Sequence, residues 1–340
     1  MLNVGFIGAG KSAHRYQGPF VLRRPDKFRI KTLWARHIDN IPWDKYDAHY
    51  TTDLNELLDD PEIDLVVIST PVLHYEFTKQ ALEHGKNVLC EKPFTDTKEQ
   101  AVELFNLAKE KGLFVMSVQN RRFDSDFLTT QKVIESGVLG DILEVEMHFD
   151  YYRPEVPESV TTFNPYHGYL YGHACHTIDQ VLSYWGIPKD IHYDVRQLLG
   201  KGRMNDYFDI DLYYEGPLKV SVKSSYFRIK QRPRFVVYGK KGMFIKETED
   251  RQEEHLKMFY MPTPDHPDFG QDLPQHYGTL TYMDDEGIYH EEKVPTVTGD
   301  YARLYDAVYD SIVNGAPKLV KDETTLKLMD ILEEGIKGCE

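Results

Sequence analysis

Leu2-Asn3-Val4-Gly5-Phe6-Ile7-Gly8-Ala9-Gly10-Lys11-Ser12-Ala13 opens the chain. An apolar run passes directly into Gly-x-Gly-x-x-Ala and then into a helical pattern. Each small residue has its own physical use. Gly8 permits a tight turn, Gly10 lets the backbone come close to a pyrophosphate, and Ala13 lets a helix pack tightly on a strand. Backbone N–H groups at the helix start, around Ala9, Lys11 and Ser12, are suited to hold phosphates. A Gly-x-Gly turn alone is common. Its place here, directly after a strand and before a helix, selects the dinucleotide reading.

The same alternation continues outward from that turn. Apolar runs at Phe28–Trp34, Leu65–Thr70, Asn87–Cys90 and Leu113–Val118 read as strands. Leu65–Thr70 is almost wholly apolar or β-branched, as a strand buried on both faces should be. Between them, His74–His84 reads as a helix stopped by Gly85. Thr97-Lys98-Glu99-Gln100 has the form of a capping box, ahead of a helix that ends at Gly112. Repeated βα units predict an α/β fold with a doubly wound parallel sheet, a Rossmann domain over residues 1–120.

The pattern changes beyond it. Phe123–Ser136 reads as a linking helix. Leu143, Val145, Met147, Phe149 and Tyr151 alternate with polar residues, as do Leu218, Val220 and Val222. Phe235–Tyr238 and Met243–Ile245 flank Gly239-Lys240-Lys241-Gly242, a hairpin signal. Leu256–Val297, rich in Pro, Asp and Tyr, reads as irregular or edge structure. Helices at Tyr301–Val313 and Glu323–Ile336 close the chain. The expectation is a second domain, residues 121–340, of α+β type with a largely antiparallel open sheet.

Bulk properties narrow the function. A length of 340 residues suits two domains. A net charge of -15 argues against nucleic acid as a partner, because phosphate backbones select clustered Lys and Arg. No apolar run is long enough to span a bilayer, and the N-terminus enters a strand with no basic leader. Cys90, Cys175 and Cys339 are odd in number and far apart, which suits a reducing compartment. A cytoplasmic location is expected, with a small-molecule substrate and neither a membrane nor a nucleic-acid partner.

Leu33-Trp34-Ala35-Arg36-His37 ends the second strand. An acid here would take the ribose hydroxyls of NAD. A small residue, Ala35, followed by the guanidinium of Arg36 suits a 2′-phosphate instead, so NADP(H) is preferred and NAD(H) possible. In the alternative reading Arg36 is a solvated surface residue and Asp39 takes the ribose.

Thr70-Pro71-Val72-Leu73-His74 and Glu91-Lys92-Pro93 both follow strands at the edge where α/β ligands bind. Together with the glycine motif they resemble the Gfo/Idh/MocA oxidoreductases, the glucose–fructose oxidoreductase and inositol dehydrogenase group. Asn120-Arg121-Arg122-Phe123-Asp124 and His176-Thr177-Ile178-Asp179 carry the resemblance into the second half. Tyr151-Tyr152-Arg153-Pro154-Glu155 and the closing helices look like the scyllo-inositol dehydrogenase branch. The resemblance implies roles. Lys92 would lie between nicotinamide and substrate and polarise the reacting oxygen. His176 would be the general acid/base, and Asp179 would orient the substrate or His176. Glu91, Thr70, Pro71 and His74 would border the cofactor, and Asn120, Arg122, Tyr152 and His173 the substrate. Free imidazole, with a pKa of about 6.5, suits proton exchange near neutrality. A homo-oligomer, dimer or tetramer, is likewise implied.

One position departs from the family pattern: Gly172 stands where members usually carry Asp, four residues before the catalytic His. Either Asp179, His173 or the substrate compensates, or the activity is altered or lost. Hence three readings stand: a dehydrogenase or reductase acting on a polyol, sugar or sugar-like carbonyl, a non-catalytic dinucleotide sensor of the same fold, and an oxidoreductase working on another ligand class, such as a cyclic imine, a dihydrodiol or a tetrapyrrole. His173, Cys175 and His176 crowd into four positions and cannot easily converge on one ion, so no metal is expected.

Overall fold

The computed structural model describes residues 1–39 and 41–340. Six strands form one wholly parallel sheet: β1 (Leu2–Ile7), β2 (Phe28–Trp34), β3 (His49–Thr51), β4 (Leu65–Ile68), β5 (Asn87–Cys90) and β6 (Val115–Ser117). Their order is β3-β2-β1-β4-β5-β6, which places the reversal of winding between β1 and β4. β4 is fully buried along its length because helices cover both faces of such a sheet. The helical elements are a run over residues 11–22, which includes α1 (Gly18–Leu22), then α2 (Leu54–Leu58), α3 (His74–Glu83) and α4 (Lys98–Lys111). Thr97 accepts from the Gln100 N–H while Gln100 caps in return, and Gly112 closes α4 with φ +66°. Gly85, φ +76°, follows α3. Each turn was legible because a cap is a local, four-residue device.

The second sheet has eight strands: β7 (Ile142–His148), β8 (Asp190–Arg196), β9 (Tyr207–Tyr213), β10 (Lys219–Ser225), β11 (Phe235–Gly239), β12 (Gly242–Lys246), β13 (Gly278–Met283) and β14 (Tyr289–Val294). Their order is β14-β13-β12-β11-β7-β10-β9-β8, antiparallel throughout except for the parallel pair β7–β10. The sequence reading did not name β8 or β9. β9 alternates cleanly, with Phe208, Ile210 and Leu212 buried, and β8 is an edge strand whose alternating Ile191, Tyr193 and Val195 are only half-buried. β13 and β14 lie inside the tract read as irregular or edge structure, and β14 is an edge. The associated helices are α5 (Ser125–Glu135), α6 (Glu155–Ser159) and α7 (Cys175–Trp185), with α8 (Arg251–Lys257), α9 (Ala302–Asn314) and α10 (Asp322–Gly335) later in the chain.

The chain divides into two compact units. Met1–Asn120, Glu254–Phe269 and Tyr301–Leu326 make the first; Arg121–Glu253, Gly270–Asp300 and Lys327–Glu340 make the second. Two late segments thus return to the first unit, which a single cut at residue 120 does not anticipate. The cause is apolar docking: Phe269 and Tyr301 lie against Phe20, and Tyr305 and Tyr309 set their edges on Phe28.

Candidate active site

In the first unit β1 ends at Gly8, whose N–H donates to the Trp34 carbonyl at 2.8 Å. Gly8 has φ +110°, and a Cβ there would lie 3.0 Å from the Ser69 carbonyl carbon and the Thr70 nitrogen. Only glycine fits that conformation against the exit of β4. A Cβ on Gly10 would meet nothing within 4 Å, so the backbone there faces open space. The helical run starts at Lys11, and its middle turn, Ala13–Gln17, is π-helical. Such turns cluster at functional sites. His14 lies flat between Trp43 and Tyr46, at centroid distances of 5.4 and 5.0 Å, and burial holds its pKa below the usual value. Beyond β2, the Ala35 N–H donates to Thr51, and Arg36 is exposed. An accessible helix start after a glycine turn, with an exposed guanidinium at the neighbouring strand end, fits a dinucleotide.

The exits of β4 and β5 meet the same edge. The Glu91 N–H donates to Ile68 at 3.1 Å. The Glu91 carboxylate accepts from the Ser12 hydroxyl, from Gln17 Nε2 at 2.6 Å and from the Lys92 N–H at 3.2 Å. His74 bridges two loops: Nδ1 lies 2.6 Å from the Pro93 carbonyl oxygen and Nε2 2.8 Å from that of Thr70. Gly8–Ser12, Thr70, Pro71, His74, Glu91 and Lys92 therefore belong to one edge of one sheet. The sequence offered no sign of Gln17, whose partner is 74 residues away.

In the second unit a π-helical turn, Leu170–Ala174, runs straight into α7. His176 is 8% exposed and Asp179 1%. Arg122 donates two parallel hydrogen bonds to Asp179, each of 2.7 Å. Two residues expected to serve separately thus neutralise one another, and the fork geometry suits a carboxylate. His173 Nε2 lies 3.1 Å from the Tyr226 hydroxyl, and its ring is flanked by Tyr151 and Tyr169. Tyr169 and Tyr226 stack at 4.0 Å. Sequence reading missed this aromatic group, because its members come from three separated segments. Tyr152 is 54% exposed. A Cβ on Gly172 would meet nothing within 4 Å. Asn120, nearly buried, closes the first segment of the first unit. Among the described residues no three His, Cys, Asp or Glu side chains gather as a metal-ligating group, and no helix is long and apolar enough to cross a membrane.

Comparison with known proteins bears on this arrangement. The profile described as an oxidoreductase family with an NAD-binding Rossmann fold matches residues 2–119, and that of the Gfo/Idh/MocA C-terminal domain matches residues 127–245. The uncharacterized oxidoreductase YhhX of Escherichia coli is 47% identical over 341 residues, covering 99% of this chain and 96% of that protein. The scyllo-inositol 2-dehydrogenase (NADP(+)) IolW of Bacillus subtilis is 34% identical over 346 residues, covering 100% of this chain and 94% of that one. A crystal structure of the probable oxidoreductase yhhX superposes with a TM-score of 0.90 at 46% identity, covering 98% of this chain and 96% of that one. The chain belongs to the Gfo/Idh/MocA family of oxidoreductases.

Proposed function

We propose that this protein is an NADP(H)-preferring dehydrogenase or reductase acting on a CH–OH group of a polyol or sugar, or on the matching carbonyl. The observation that carries the reading is the position of Lys92: it follows β5 at the same sheet edge as the Gly8–Ser12 turn. Gly8, Ala9, Gly10, Lys11 and Ser12 would hold the pyrophosphate, and Ala35 and Arg36 the adenosine ribose with its 2′-phosphate. Thr70, Pro71, His74 and Glu91 would border the nicotinamide. Once bound, the cofactor supplies or accepts the hydride. The Lys92 ammonium would polarise the reacting oxygen. His176 would exchange the hydroxyl proton, and Asp179, clamped by Arg122, would hold the α7 face in place. Asn120, Tyr152 and His173 would meet the substrate. The NADP- and inositol-directed name of the Bacillus relative supports both the cofactor and the substrate class. A cytoplasmic homo-oligomer is part of the same reading, supported by three dispersed cysteines and by family membership.

The test is a panel of polyols and sugars with either cofactor, followed by the absorbance of reduced nicotinamide. The expected result is turnover, with Lys92→Ala lowering kcat/KM by about 100-fold or more. Turnover undiminished in Lys92→Ala refutes the assigned centre. One observation favours a second reading, a dinucleotide-binding sensor: the space beside Gly172 is open where the family usually places a carboxylate. Tight NADP(H) binding with no turnover across the panel selects it.

A further inference from the structure

The Glu91 carboxylate does not end at the helix it touches. Gln17, which donates to it, also accepts from the Tyr305 hydroxyl at 2.6 Å. Tyr305 comes from α9, and its position lies outside both matched segments, 2–119 and 127–245. Gln17 and Tyr305 are each 1% exposed.

Chemistry sets the direction of this chain of bonds. A carboxylate only accepts, so Gln17 presents its NH₂ to Glu91 and its carbonyl oxygen to Tyr305. The phenol must then donate. Burial pushes its pKa far up, and the charge of Glu91 adds to that, so it stays an O–H. Reversing the amide would set a carbonyl oxygen against a carboxylate. The side chain of Glu91 is therefore oriented from behind by two buried groups and from the front by Ser12. Its second oxygen holds the Lys92 N–H.

We infer that Tyr305 and Gln17 are positioning residues that fix the backbone of Lys92 through Glu91 and tie it to the phosphate-binding turn. This rests on the reading of Lys92 given above. Because Ser12 and Gln17 belong to the helical run that starts at Lys11, order in that run reaches Lys92 through one carboxylate.

The test measures the rate at which an amine-selective acylating reagent modifies Lys92 in the full-length protein, read by peptide mass spectrometry, with the exposed Lys240 as reference. Tyr305→Phe and Gln17→Leu should each change the Lys92 rate by about 3-fold or more and leave Lys240 unaltered. In a Glu91→Gln background Tyr305→Phe should have no further effect, because contacting residues in one network are non-additive. With a substrate in hand, Tyr305→Phe should lower kcat by about 10-fold while the NADP(H) Kd holds within about 2-fold. An unchanged Lys92 rate in both variants, or an effect of Tyr305→Phe that persists in full without the Glu91 carboxylate, overturns the inference. Turnover that survives Lys92→Ala would instead strike the proposed reaction centre, and the labelling result would still decide the positioning link.

Discussion

Arg122 and Asp179 show what a single ion pair decides. Asp179 is buried, and both its oxygens are taken by one guanidinium. Arg122→Met would leave that carboxylate buried with its strongest partner gone, at a cost of about 3–5 kcal/mol. Denaturant unfolding should show that loss, and the double variant Arg122→Met/Asp179→Leu should recover part of it. Arg36 is the opposite case, an exposed charge to which the proposed function gives a 2′-phosphate. Arg36→Ala should raise the KM for NADP(H) by about 10-fold and leave NAD(H) nearly unchanged, since a charge-assisted bond is worth about 1.5–3 kcal/mol. Equal effects on both cofactors would hand the ribose to Asp39. The residues at the sheet edge were legible because glycine, a strand-end Lys and a lone Arg differ in chemistry from what surrounds them. The pairing of Arg122 with Asp179 was not, since 57 residues separate them.

Among elements, α5 and α8 depend on one carboxylate. Asp250 accepts from the Ser125 N–H at the start of α5 and from the Gln252 N–H, at 2.5 Å, in the first turn of α8. Burial, reinforced by the charge of Asp126, pushes its pKa up to about 6, against hydrogen bonds from Ser125 and Gln252 that pull it down. The folded chain therefore holds this proton where the unfolded chain, near 3.8, has released it. Its contribution is fully present below pH 3.8 and is lost as pH rises through about 6. Over about two units that is roughly 3 kcal/mol. Relative to Asp250→Asn, the wild-type protein should lose stability across this window; parallel pH profiles of unfolding free energy would refute the burial argument. The capping box at Thr97 was readable because its partners are three residues apart. The Asp250 cap joins positions 125 residues apart and has no sequence signature. The π-helical turns before α1 and α7 were equally invisible, because one extra residue per turn barely alters an apolar pattern.

For the whole molecule, binding should act on stability through mass action. NADP(H) at about 100 times its Kd should stabilise the folded chain by about 2.7 kcal/mol and raise Tm by several degrees. A Tm indifferent to NADP(H) and NAD(H) alike would deny the dinucleotide site. From the order of residues alone come the parallel sheet, the glycine turn, the strand-end position of Lys92 and the change of pattern after residue 120. These rest on periodicity and on short motifs, whose physics acts between neighbours a few positions apart. Tertiary structure alone settled which carboxylate meets which guanidinium, that α9 returns to the first unit, and that Glu91 leans on Gln17 and Tyr305. Those choices depend on packing between segments distant in the chain, where many partners are chemically equivalent and only the folded geometry selects one.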